Sequence, residues 1–384
     1  MIRNRIMDGN KILYHPDWVE KWRNDPFSCA PIYVEVTPAG ACNHRCTFCA
    51  VDYIGYRTVY LDRDVLADRF NEMGSAGVKS VMFAGEGEPT LHKHFAEMCN
   101  DAKSAGLDVA ITTNGTGLTR SWAERALHTV TWMKVSLDAA TAKTHSEIHQ
   151  CPEGHFLRVV RNIKEVVAVR ATLPPEVRAG IDIGAQMILM PQNWREAGDL
   201  VRILRDCGAD YLAVKPYSQH PSSVNQGEEL LGNDFHYTPD FMKRVEDQLF
   251  EAADGQIDIE FRKNTMSAYE NPDRGYSVCQ ATPTAWGYVM ADGDVYSCSA
   301  YLLDPRFNMG NIMRKTFNEV WYSETRREHL AWVLNQLDIS ECRKNCRMNS
   351  VNQTLTRAID VPQEFQDSLD RTRGLVTPDN LNFI

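Results

Sequence analysis

The sequence predicts an α/β protein in two parts, a parallel sheet of strands alternating with helices and then a smaller α+β region. Three observations predict it. Short β-branched runs alternate with helical stretches from about residue 32 to residue 217, the pattern of successive βαβ units. The texture then changes to SQHPSSVNQGEELLGNDFHYTPD, a polar connector rich in turn formers. Beyond Cys279, AWGYVMADGDVYSC reads as a hairpin turned at Asp292-Gly293-Asp294.

In chain order, HPDWVEKWRNDPF reads as a short helix ended by Pro26, and IYVEVTP as the first strand. RDVLADRFNEMGSAG is an amphipathic helix closed by Gly77. Strands VKSVMFAG, LDVAITTNG, TWMKVSLD, GIDIGAQMILM and YLAVKPY follow. Helices HKHFAEMCNDAKSAG, SWAERALHTV, FLRVVRNIKEVVAVRATL and WREAGDLVRILRDCGA separate them. Six strands are too few for a closed eight-stranded barrel and suit an open barrel or a doubly wound sheet. After the connector come a helix, FMKRVEDQLFEAA, a strand, QIDIEFR, the hairpin, and a helix, FNEVWYSETRREHLAWVLNQL. The expected organisation is an N-terminal extension (1–30), the sheet domain (31–225), a connecting helix and strand (226–278), and a C-terminal domain with its tail (279–384). TPDNLNFI at the end is expected to pack back over the core or near the site.

The 384 residues are 43% hydrophobic and 24% charged, a globular composition. A net charge of −10 argues against a general nucleic-acid binder. No apolar run approaches the ~18 residues of a membrane span. The start, MIRNRIMDGNKILYHPDWVEKW, has no apolar segment of the signal-peptide kind. A reducing cytoplasm is therefore the expected compartment, where clustered cysteines bind metal or do chemistry.

Of the 11 cysteines, Cys42, Cys46 and Cys49 form C-x3-C-x2-C just after the first strand. Cys279, Cys298, Cys342 and Cys346 fall in the last third, while Cys29, Cys99, Cys151 and Cys207 read as small core residues. Three thiolates from one loop leave one iron of a cubane open, the arrangement of a reactive rather than a closed site. His44 offers a fourth ligand only with strain. The four later cysteines suffice for a zinc ion or a second cubane, and chemistry alone does not choose between them.

CNHRCTFCA, with Phe48 just before the last cysteine, resembles the signature of the radical S-adenosylmethionine (SAM) enzymes. FAGEGEPTL at the end of the next strand resembles that family's glycine-rich Gly-Glu-Pro motif. The resemblance implies a partial (β/α)6 TIM-like barrel. It implies that Cys42, Cys46 and Cys49 hold a 4Fe–4S cluster whose open iron chelates SAM. Reductive cleavage of SAM then gives a 5′-deoxyadenosyl radical that abstracts a substrate hydrogen. An external one-electron donor such as flavodoxin or ferredoxin is implied as partner. Gly85 and Gly87 would allow close backbone approach to SAM, and Glu86 or Glu88 would suit its ammonium group. Phe48, Asn114, Ser136 and Gln186 are the other candidate cofactor contacts, the last three lying on strands or at their C-terminal ends.

The pattern C-x13-G-x4-C from Cys279 through Gly293 to Cys298 resembles the opening of the SPASM auxiliary-cluster domain. Four cysteines match its shortened twitch version with one auxiliary 4Fe–4S cluster, although the final C-x3-C departs from the more familiar C-x2-C. Lys215, Tyr217, Ser218, Gln219 and His220 in AVKPYSQH are candidate substrate or catalytic groups, with Arg262 and Lys263 weaker ones. An auxiliary cluster can accept an electron. The leading expectation is therefore oxidation or epimerisation of a small polar metabolite such as a sugar or aminocyclitol. Maturation of a ribosomal peptide is the alternative, and the thirty residues before the first strand are too few for a leader-peptide-binding domain.

Overall fold

The computed structural model describes residues 9–384 apart from 219, 226–229, 233, 271–272, 344–345, 373–374, 376 and 379. Its centre is one ten-stranded sheet ordered β10-β9-β8-β1-β2-β3-β4-β5-β6-β7. β1 (Tyr33–Val36), β2 (Ser80–Phe83), β3 (Asp108–Thr113), β4 (Val130–Ser136), β5 (Asp182–Leu189) and β6 (Tyr211–Pro216) are the six expected strands, parallel and in sequence order. The sheet is longer than that at both ends. β7 (Asp258–Phe261), expected in the connector, pairs in parallel with β6. β8 (Trp286–Val289) pairs in parallel with β1, so the sheet runs on across residue 279. β9 (Asp294–Tyr296) and β10 (Asn308–Asn311) continue it antiparallel, with the expected turn at 292–294.

Alternation along the strands sorts side chains into two layers. Val34, Val36, Val81, Phe83, Val109, Ile111, Met133, Val135, Ile183 and Val214 face outward into a core covered by the helices. Tyr33, Met82, Ala110, Trp132, Trp286 and Tyr288 face inward and form an apolar floor. Phe383 from the C-terminal tail completes that floor, with ring centroids 6.1 Å from Tyr33 and 5.4 Å from Trp132. The tail is fixed by Ser80 Oγ donating to the Asn382 carbonyl and Lys11 Nζ donating to the Phe383 carbonyl. Each such buried aromatic contributes about 1.5–3 kcal/mol. Above the floor the inner face turns polar, with Glu35, Lys134, Gln186 and Lys215.

Local chemistry sets the helix ends. Asp62 accepts from the Asp64 and Val65 amides to start the helix Arg63–Ala76, and Gly77 at φ +103° ends it. The stretch expected as one helix over 317–337 is two, Phe317–Trp321 and Glu324–Asn335, because Ser323 caps the second by accepting from the Arg326 amide. Helix Ala142–His149, capped by Thr141, was not anticipated, since TAKTHSEIH carries little apolar periodicity. Two further helices, Asn349–Asp360 and Pro362–Thr372, bring Val351, Leu355 and Phe365 onto the floor cluster. Cys29, Cys99, Cys151 and Cys207 are buried, as expected.

Candidate functional site

The loop after β1 carries Cys42, Cys46 and Cys49, all free thiols and all partly exposed. Burial pushes the Cys42 thiol up to about 11, with the charge of Cys49 adding to it, and Cys46 is raised by burial and by both of its neighbours. Three thiols within electrostatic reach of one another are the donor set a cluster needs.

Neighbouring elements hold the loop. The Glu88 amide donates to the Ala41 carbonyl at 2.8 Å. A Cβ on Gly87 would sit 2.1 Å from Ala39 O and 2.5 Å from Ala41 O, so only glycine lets the two segments close. A Cβ on Gly85, at φ +112°, would sit 1.8 Å from Thr37 Oγ1. Both glycines thus let the chain pack closely on itself at this strand end. Asn114 Nδ2 donates to Asn43 Oδ1 at 2.7 Å, and Asn43 Nδ2 to Thr116 Oγ1 at 2.9 Å.

The structure separates the two glutamates of GEGEP. Glu88 is filled by its own chain: Oε1 accepts from Thr90 N, Thr90 Oγ1 and Thr113 Oγ1, and Oε2 from Asn114 N. Asn114 is occupied likewise, its Oδ1 accepting from Thr116. Glu86 is buried, Oε1 meets Arg57 Nη2 at 3.2 Å, the Ala291 backbone lies against the carboxyl, and Oε2 makes no close hydrogen bond among the described residues. Burial pushes its carboxyl up to about 7, with Arg57 opposing. Arg57 also meets Asp292 of the β8–β9 turn at 2.9 Å, linking the two halves of the chain. The open Oε2 fits an incoming ammonium group. Ser136 and Gln186 are paired in the β4–β5 register and face the lumen.

A group of histidines around Cys46 was missed. His149 Nδ1 lies 3.1 Å from Cys46 Sγ, and His149 Nε2 lies 3.3 Å from Asp138 Oδ2, with His149 and Asp138 fully buried. Asp138 holds a left-handed φ of +59° because its Oδ1 accepts from the Ile188 amide and its carbonyl from Asn193 Nδ2. His44 is buried against His155, Nε2 to Nδ1 2.9 Å, and its ring lies within 4.8 Å of the Cys46 and His149 donor atoms. His145 and His149, one helical turn apart in HSEIH, were the available signal. Phe48 packs edge-on to His149 at 5.4 Å.

Asp52, just past the cysteines, accepts from Ser223 Oγ, the Val224 and Asn225 amides and Asn225 Nδ2, which ties the chain after β6 over the loop. Along that segment Tyr217 is buried beside Phe48 in an apolar cluster, and His220 stacks on Tyr53 at 4.8 Å. Ser218 Oγ is buried without a hydrogen-bond partner among the described residues. Gln219 lies outside the described residues. Lys215 and Arg262 lie towards the lumen, but Lys263 is a surface residue paired with Glu246 at 2.6 Å.

Cys279, Cys298, Cys342 and Cys346 line one pocket, walled by Trp286, Tyr301 and Arg343. Tyr301 Oη lies 3.2 Å from Cys342 Sγ. Cys279 is pushed up to about 11 by burial and then by Cys346 and Cys342. Four converging thiols in one pocket fit a fully ligated cluster.

Residues 36–204 match the radical SAM superfamily, and residues 279–347 match the SPASM iron–sulfur cluster-binding domain. The chain thus carries a radical SAM domain followed by a SPASM domain. Its cofactors are accordingly a 4Fe–4S cluster, SAM and auxiliary iron–sulfur. It is 24% identical to the serine-type anaerobic sulfatase-maturating enzyme of Bacteroides thetaiotaomicron over 79% of this chain and 77% of that one. It is 25% identical to the tungsten-containing aldehyde ferredoxin oxidoreductase cofactor-modifying protein of Pyrococcus furiosus, over 76% and 81%. Among solved structures, Streptococcus suis SuiB bound to precursor peptide SuiA matches in fold with a TM-score of 0.61 at 17% identity, covering 93% of this chain and 79% of that one. Native anSMEcpe with bound AdoMet matches with a TM-score of 0.57 at 16% identity, covering 88% and 99%. Among the described residues no helix is long and apolar enough to cross a membrane.

Proposed function

We propose that the protein is a radical SAM maturase that modifies a residue of a peptide or protein substrate. The observation that carries this is the similarity to a sulfatase-maturating enzyme over more than three quarters of both chains, radical SAM and SPASM regions included. It favours a peptide over the sugar or aminocyclitol expected from the four-cysteine layout.

In this reading Cys42, Cys46 and Cys49 hold the catalytic cluster, and Cys279, Cys298, Cys342 and Cys346 the auxiliary one. When bound and given an electron by an external donor, cluster and SAM supply a carbon-centred radical that takes hydrogen from an unactivated C–H bond. Glu86 would hold the SAM ammonium group through its open Oε2, with Arg57 orienting the carboxylate through Oε1. Ser136 and Gln186, which lack side-chain hydrogen bonds within the described chain, offer polar contacts on the lumen wall. The apolar floor around Trp132 and Phe383 keeps bulk water from entering below. Lys215, Tyr217 and His220 stand at the substrate end.

The test uses the reconstituted protein with SAM and dithionite, supplied with serine- and cysteine-containing peptides or with polyols and aminocyclitols. A peptide is expected to raise 5′-deoxyadenosine formation by about tenfold or more, equivalent to ~1.4 kcal/mol of barrel-site coupling, and to change mass. Stimulation by polyols alone would return the small-metabolite reading.

A further inference from the structure

The inner face of the sheet carries two lysines, Lys134 and Lys215, that make no hydrogen bond or ion pair with a described residue. On β4, Met133 and Val135 pack outward, so Trp132, Lys134 and Ser136 face inward. On β6, Leu212 and Val214 pack outward and Lys215 faces inward. On β7, Ile259 and Phe261 pack outward, which turns Glu260 and Arg262 inward. The Arg262 amide extends the ladder to Val214 O at 2.9 Å, next to Lys215.

The acids nearby are engaged. Asp138 is bound to the Ile188 amide and His149, Glu35 pairs with Arg347, and Glu260 has its own contacts. Neither Lys134 nor Lys215 makes a hydrogen bond or ion pair with a described residue, and the nearest recorded contact is Lys134 Nζ, 5.6 Å from the Trp132 ring. Burial pushes Lys215 down to about 7, with Lys134, Arg262 and Arg343 adding to it and Asp138 opposing. Lys134 is pushed down to about 8 by burial, Glu260 opposing. Two ammonium groups that repel each other inside a protein of net charge −10 are costly unless an anion joins them.

We propose that Lys134 and Lys215, with Arg262 beside them, form an oxyanion subsite of the substrate lumen, so that the substrate presents a carboxylate next to the position attacked. The subsite rests on the peptide reading for the identity of that carboxylate, which is an acidic side chain or a chain terminus. Its β6 and β7 members stand apart from the Glu86 end, while Lys134 on β4 lies two residues before Ser136, so SAM affinity in the variants separates this subsite from a SAM contact. Lys215 and Arg262 belong to β6 and β7, on the other side of the sheet order from β2, whose end carries the Glu86 oxygen expected to meet the SAM ammonium group. An ion pair formed in this shielded place is also worth more than one in water.

The test needs no natural substrate. In SAM-loaded holoenzyme with 13C-methylated lysines, assigned through Lys134→Arg and Lys215→Arg, acetate is titrated against acetamide. Acetate is expected to move both signals saturably and acetamide neither. Lys215→Met is expected to weaken acetate binding at the Lys134 signal by about tenfold or more while SAM affinity changes less than about twofold. Iron content and SAM binding check that the variant folds. N-acetylaspartate amide and N-acetylalanine then distinguish side-chain from terminal carboxylate, the tighter ligand naming the source. No saturable shift, or a loss of SAM affinity matching the loss for acetate, overturns the subsite. Either failure leaves the maturase reading standing, since that is judged separately by peptide-stimulated 5′-deoxyadenosine.

Discussion

Cys42, Cys46 and Cys49 come from one short loop, whereas Cys279, Cys298, Cys342 and Cys346 are gathered from the approach to β8, the end of β9 and the segment after helix Glu324–Asn335. The first set is local in sequence yet depends on neighbours to hold its shape: the Gly87 contact, the Asn43–Asn114 bond, and His149 at Cys46. The second set is distant in sequence and is held by core packing, with Cys298 and Cys346 packed against the cluster that contains Trp286 and Phe307. A loop site fails when its supports are cut, and a gathered site fails when the fold around it loosens.

The largest expected effect separates the two sets. Replacing Cys42, Cys46 and Cys49 together by Ala should lower iron from about eight to about four per chain, abolish 5′-deoxyadenosine formation and leave the melting temperature nearly unchanged. Cys298→Ala should also lose about four irons, keep 5′-deoxyadenosine formation, and lower the melting temperature by more than ~5 °C because its pocket is part of the core. Equal melting shifts in the two variants would break the comparison.

A smaller effect concerns the supports. His149→Ala removes the group 3.1 Å from Cys46 Sγ. Iron should then leave the first set for a chelator about 10–100 times more readily, with the auxiliary iron unaffected. Loss from both sets alike would show that His149 supports the fold rather than the loop.

The smallest effect is a pH dependence. Glu86 is raised to about 7 by burial, so its carboxylate is charged above that pH and neutral below it. SAM affinity should fall as pH drops through 7, by about tenfold for one unit below it, and Glu86→Gln should flatten the profile. The sign for stability is opposite. A folded pKa above the unfolded value makes the folded chain the better proton binder, so stability without SAM should rise as pH falls from about 7 towards about 4.5.

Both cysteine motifs and all six central strands, each with a following helix, were legible because each is written in consecutive residues, as spacing or as periodicity. Helix Ala142–His149 was not, because its residues are mostly polar and its value lies in what it faces, the cysteine loop over a hundred residues earlier in the chain. The choice between Glu86 and Glu88 was equally closed to the sequence. Both are buried carboxylates two residues apart, and only the partners around them show that one is filled and the other has an open oxygen.

The sequence by itself showed the radical SAM and SPASM motifs, the six central strands and the two groups of clustered thiols, since spacing and alternation are local properties of the chain. The tertiary structure decided which polar groups are already satisfied, that β7 and β8 extend one sheet across the expected seams, and that Lys134 and Lys215 share a lumen. Satisfaction and charge balance depend on neighbours brought together from distant parts of the chain, and no local pattern encodes them.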